Sequence, residues 1–119
     1  MEFEIKDKET MQKSIADFCR FLSDFGLSAE NVFDCRLVAT ELIGNVLRHA
    51  HGRASLKGNI EEDFVHLIVF SSAPFIPPQK STCSDVYAEN GRGLFLVDNV
   101  CYERTITPDG GILVKIKIQ

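Results

Sequence analysis

The hydrophobic period of this chain changes once, near residue 54, and that change restricts the fold more than any other feature. Before it, apolar residues recur at helical intervals; after it, they alternate. Met11, Ile15, Phe18, Leu22 and Phe25 follow at steps of four, three, four and three, the stripe of an amphipathic helix. Asp7 is placed to cap its start and Gly26 to end it in a left-handed conformation. Ser28 is the N-cap of a longer helix predicted to run to about Ala50, with His51-Gly52 as its stop. Its apolar positions, among them Val32, Cys35, Val38, Ala39, Leu42, Ile43, Val46 and Leu47, form a stripe wide enough to be covered on more than one side.

From Ala54 the residues Ala54, Leu56 and Ile60 alternate with Ser55, Lys57 and Asn59, which predicts a half-buried strand. Glu61-Glu62-Asp63 makes a turn, and Phe64 to Phe70 is a second, more apolar strand. A loop follows from Ser71 to about Asn90, and Pro74, Pro77 and Pro78 exclude regular structure from its first half. Residues 76–90 carry few apolar anchors and are expected to form a mobile lid in the absence of ligand. A short helical segment, Leu94 to about Val100, precedes a hairpin of Tyr102–Thr107 and Ile112–Gln119 turning through Pro108-Asp109-Gly110-Gly111. A short strand at Glu2–Ile5 opens the chain. Together these predict an α+β two-layer sandwich, a mostly antiparallel sheet with helices on one face.

The 119 residues suffice for one domain, residues 1–119, that buries roughly two-thirds of its unfolded surface without a metal or disulfide staple. Charged residues at 25% and hydrophobic ones at 45% argue against disorder. No apolar run approaches the roughly 20 residues of a membrane span, and the charged start Met1-Glu2-Phe3-Glu4 does not read as a signal peptide. A net charge of -4 disfavours nucleic acid as a partner. Cys19, Cys35, Cys83 and Cys101 are far apart and form no C-x-x-C pair, so neither a zinc site nor a disulfide framework is expected. Cys19 and Cys35 lie in apolar periodic stretches as small hydrophobes, and the set points to a reducing cytoplasm. Cys83 lies in a polar stretch.

Two features rise above the fold. Glu41, Asn45 and His49 stand four residues apart on the second predicted helix, each step advancing about 400° and rising about 6 Å, so they form one slowly drifting polar row. Gly44 beside them costs about 1 kcal/mol relative to Ala in a helix, which suggests a close approach of backbone or ligand. On spacing alone, a solvated helix face with a glycine for packing is the simpler account. The second feature is Gly91-Arg92-Gly93-Leu94 opening a helix, where free N–H groups and the helix dipole favour phosphate. A loop-to-helix hinge accounts for it about as well.

Taken together, E-x-x-x-N-x-x-x-H on the second helix, two strands, a long loop and G-R-G-L-x-L-V resemble the histidine-kinase-like ATPase family (Bergerat fold). Within it the sequence is most similar to the small anti-sigma-factor serine kinases of bacterial partner-switching systems. The likeness runs from the first helix to the last hairpin. It is most specific over Ala39–Ala50 and Gly91–Val97, then at Asp98-Asn99-Val100 and the Pro108–Gly111 turn. The resemblance implies a pocket for ATP and Mg2+ between the second helix, the lid loop and the glycine turn. Glu41 matches the general base and Asn45 the magnesium ligand, while Arg48 and His49 match the basic end of the same motif. Gly91, Gly93 and Leu94 match the phosphate-binding turn, and Arg92 is placed either to offset phosphate charge or simply to be exposed on the lid.

Two departures bear on activity. Family members usually end the strand before the lid with D-x-G-x-G, whose Asp reads the adenine amino group. Here Val69-Phe70-Ser71-Ser72-Ala73-Pro74-Phe75 holds neither an acid nor a glycine. A neutral hydrogen bond contributes about 0.5–1.5 kcal/mol against about 1.5–3 for a charged one, roughly a tenfold loss of affinity. Ile112 stands where a Thr often follows the final glycines. The expectation is therefore an anti-sigma-factor-like regulator that switches between protein partners, a sigma factor or an antagonist domain, with its nucleotide pocket degenerate on the adenine side. A homodimer is compatible with the resemblance. The alternatives are an active ATP-dependent protein serine kinase that phosphorylates its antagonist, and an ATPase or signalling domain unrelated to sigma factors.

Overall fold

Side chains and one glycine supply the hydrogen bonds that the helix ends lack. The computed structural model of the protein describes residues 1–49, 53–71, 97–108 and 111–118. In it α1 spans Lys8–Phe25 and α2 spans Ala29–His49. Asp7 Oδ1 accepts from the Thr10 backbone N–H at 2.7 Å, and Thr10 Oγ1 accepts from the Asp7 N–H at 3.1 Å. This reciprocal cap holds the Asp7 carboxyl below its ordinary range, chiefly through the Thr10 N–H. Its contribution is present above the unfolded-chain pKa and is lost as pH falls through the lower folded value. Gly26 ends α1 at φ 111, a left-handed conformation that suits glycine, and its N–H bonds back into the last turn. Ser28 Oγ then accepts from the Asn31 N–H at 3.1 Å and starts α2.

The strands are β1 (Glu2–Ile5), β2 (Ala54–Glu61), β3 (Phe64–Ser71), β4 (Glu103–Ile106) and β5 (Ile112–Lys117). They form one sheet in the order β1-β2-β3-β5-β4, with each pair antiparallel. The turn between β2 and β3 is shorter than the sequence suggests: Glu61 pairs with Phe64, so only Glu62 and Asp63 turn, with Glu62 at φ 55. Thr107 and Gly111 close the β4–β5 hairpin through two bonds of 2.8 Å, one to the Gly111 carbonyl and one to Thr107 Oγ1.

Alternation sends Ile5, Leu56, Val65, Leu67, Val69, Ile112, Val114 and Ile116 to the face that the helices cover. There they meet Phe18 and Leu22 of α1 and Val38, Leu42, Ile43 and Val46 of α2 in one core. The expected α+β two-layer architecture is what the chain adopts. Phe25 departs from expectation: it is 62% exposed and packs on Phe21 with ring centroids 6.4 Å apart. A heptad-spaced row drifts about 20° per heptad on a straight helix. Two heptads after Met11, at the last residue of α1, the row has rotated off the core.

Asn31 is a buried polar residue that periodicity does not reveal. Its Nδ2 donates to the Lys117 carbonyl at 3.1 Å, tying the first turn of α2 to the end of β5. Cys35 is fully buried, and burial, followed by the neighbouring Cys19 and Asp34, pushes its thiol up to about 12. Burial also raises the half-buried Cys19, so both act as small hydrophobes, as their positions suggest. Cys83 and the predicted lid lie outside the described residues. Among the described residues no helix is long and apolar enough to cross a membrane.

Phe18, with no exposed surface, reaches the sheet at Gly58 of β2. A Cβ on Gly58 would overlap Cε1 and Cζ of that ring, which has nowhere to go. Gly58→Ala should therefore cost about 1–3 kcal/mol through overpacking. A lower urea midpoint with an unchanged slope is the expected result; an unchanged midpoint would mean that Phe18 does not lie over Gly58.

Candidate functional site

Burial of the apolar stripe of α2 determines which residues the helix offers elsewhere. With Val38, Ala39, Leu42, Ile43 and Val46 turned into the core, Glu41 is half-buried and Asn45 is only 5% exposed, one turn further on. Residues seven apart advance about 700°, so Arg48 stands within roughly 20° of Glu41 on the helix circumference. The guanidinium turns back along the helix: Arg48 Nη2 donates to Asn45 Oδ1 at 2.8 Å. The described row is thus Glu41, Asn45 and Arg48. His49 ends α2, and its side chain lies outside the described residues.

Among the described residues Gly44 meets no close approach of backbone or ligand; its nearest neighbour is the Arg48 side chain, at ordinary contact distance. A Cβ on Gly44 would stand 3.6 Å from Arg48 Nη1 and 4.0 Å from Cζ. Spacing of i, i+3 brings helix side chains together, so the Asn45–Arg48 contact is one that the sequence permits. Matching Arg48 to a basic end shared with His49 does not reveal it, because the motif says nothing of a bond back to Asn45.

Gly91, Arg92, Gly93 and Leu94 lie outside the described residues, as does the 72–75 part of the segment without an acid. The chain is described again from Val97, which is fully buried and lies in a helical turn covering residues 97–100. Cys101 N–H bonds to the Val97 carbonyl at 2.9 Å. Asp98 receives Arg104 of β4 in a two-pronged pair of 2.6 and 3.1 Å. The stretch that follows the glycine turn is therefore anchored to the core and to the edge strand. Ile112 is 4% exposed and pairs in register with Val69 and Ile106, so an apolar core contact occupies the place where family members often have a Thr.

The magnesium ion implied by the resemblance does not fit these residues as they stand. Asn45 Oδ1 already holds a guanidinium, and a cation on its other lone pair would lie roughly 4 Å from the arginine nitrogen, by ordinary bond lengths. Like charges at that distance repel. Among the described residues no group of three or more His, Cys, Asp or Glu is placed to hold a metal. A depression of about 580 Å³ lies on the opposite face of the sheet, bordered by Lys57, Asn59, His66, Ile68 and Leu113, and includes none of the α2 row.

A family model described as histidine kinase-like ATPase domain matches residues 6–117, and the chain belongs to that family. No curated protein matches it.

Since a methyl group at Gly44 meets only ordinary contacts, Gly44→Ala should stabilise the protein by up to about 1 kcal/mol through helix propensity. Thermal unfolding should show a midpoint raised by a few degrees, since a chain of this size lies between the classes with about 4–8 °C and about 2–4 °C per kcal/mol. A lowered midpoint would show that something besides Arg48 packs tightly on this glycine.

Proposed function

We propose that the protein is an anti-sigma-factor-like regulator that acts by exclusive partnership with other proteins, and that its nucleotide pocket is degenerate on the adenine side. The observation that carries this reading is the split between the two ends of the motif set. On α2, Glu41, Asn45 and Arg48 form a polar row on a helix fixed by its core, beside a sequence in which Gly91 and Gly93 match a phosphate turn. At residues 69–75 the chain has no acid to read adenine. Phosphate contacts are common to all nucleoside triphosphates, whereas base selectivity comes from a buried polar group left unpaired by the wrong base. The proposed partners are proteins, a sigma factor or an antagonist domain, with self-association into a homodimer compatible; the acidic balance gives no footing to nucleic acid. The proposed compartment is the cytoplasm.

A second reading, an ATP-dependent serine kinase, is favoured by Glu41. It is a half-buried carboxylate one helical turn from Asn45, a residue type able to accept the proton of an attacking hydroxyl. Calorimetry separates the two. The regulator reading predicts magnesium-ATP binding weaker than the micromolar range, with little preference over GTP, and weaker still in Asn45→Ala. Tight, ATP-selective binding that vanishes in Asn45→Ala would favour the kinase.

A further inference from the structure

The contact between Arg48 and Asn45 bears on which form of the nucleotide the site takes. We propose that Arg48 stands in for the divalent cation, so that the α2 row receives the polyphosphate group of a nucleotide in its metal-free form. This rests on the nucleotide reading given above. Three observations carry it. Arg48 Nη2 donates to Asn45 Oδ1 at 2.8 Å, which places a permanent positive charge on the oxygen that would otherwise be the cation ligand. The guanidinium lies beside Gly44, in ordinary contact distance of the place a Cβ would take, so the helix surface accommodates it there. Arg48 as a whole is exposed while Asn45 is buried, so one edge of the fork is anchored on the helix and, among the described residues, its other N–H groups meet no acceptor.

The chemistry suits that assignment. A guanidinium has five N–H donors in a planar fork, spends only one of them on Asn45, and stays charged at any working pH. Its remaining donors match two phosphate oxygens, and such pairs are among the stronger hydrogen bonds in proteins. A magnesium ion brought in with the nucleotide would meet this charge at close range and would have to displace Arg48 from Asn45. Metal and arginine thus compete for one oxygen, and the arginine is already bound to it.

Calorimetry of the full chain with ATP, and separately with inorganic tripolyphosphate, tests this in EDTA and in magnesium. The expected result is binding in EDTA at least as tight as in magnesium for both ligands. Arg48→Gln should weaken binding in EDTA by about tenfold or more, the difference between a charged and a neutral hydrogen bond. The same variant should also bind better with magnesium than without it, because the amide oxygen of Asn45 is then free. Circular dichroism confirms that this exposed substitution leaves the fold intact. Wild-type binding that requires magnesium overturns the proposal and leaves the nucleotide reading standing. Binding that is independent of magnesium in both proteins also overturns it. An absence of binding in either medium overturns the proposal together with the nucleotide reading beneath it.

Discussion

The packing of one wide stripe of α2 on the sheet governs everything the candidate site offers. Val38, Leu42, Ile43 and Val46 have essentially no exposed surface, and each such side chain contributes about 1.5–3 kcal/mol when buried. Rotating the helix by one residue, about 100°, would expose several of them at once. Asn31 adds a polar clamp at the other end, bonding to the Lys117 carbonyl. The helix is therefore fixed both in rotation and along its axis, and Glu41, Asn45 and Arg48 inherit their direction from residues that take no part in chemistry. The sheet is held in turn: Val69, Ile112 and Ile106 stand in register, and Asp98 joins Arg104 of the edge strand to the helical turn beyond the glycine motif.

Against that scaffold the electrostatics of the row are asymmetric. Glu41 supplies a carboxylate at one end, Arg48 a guanidinium at the other, and Asn45 is the buried neutral link that holds the arginine. Such an arrangement favours an anion at the arginine end and leaves little room for a second cation there. The chain belongs to the histidine kinase-like ATPase family, and a nucleotide polyphosphate is the anion proposed for that end. The pairing with arginine is a property of this chain's own residues.

Much of this is legible in the order of the amino acids. The strand at Glu2–Ile5, the Asp7 and Ser28 caps, the Gly26 stop and the helix-covered antiparallel sheet all follow from period and cap chemistry, because those signals are local. Long-range facts are not. Neither the Asn31 bond to Lys117, which spans 86 positions in sequence, nor the Phe18 ring over Gly58 leaves a trace in periodicity. Phe25 shows where the period itself misleads, since an exact alternation of fours and threes drifts off a straight helix. At the site, the row at Glu41 and Asn45 is visible as spacing. That Arg48 folds back onto Asn45 depends on a rotamer choice that spacing permits without requiring it.

The central claim is that α2, through Asn45 and Arg48, is where a nucleotide's phosphates bind. Side-chain NMR measures it most directly, following the Asn45 amide and the Arg48 Nε–H as ATP is added to labelled protein. The account predicts that both signals shift together and saturate with one affinity, while the His66 ring and Lys115 on the opposite face of the sheet stay in place. Shifts centred on His66 and Lys115 with an unmoved Arg48 would contradict it.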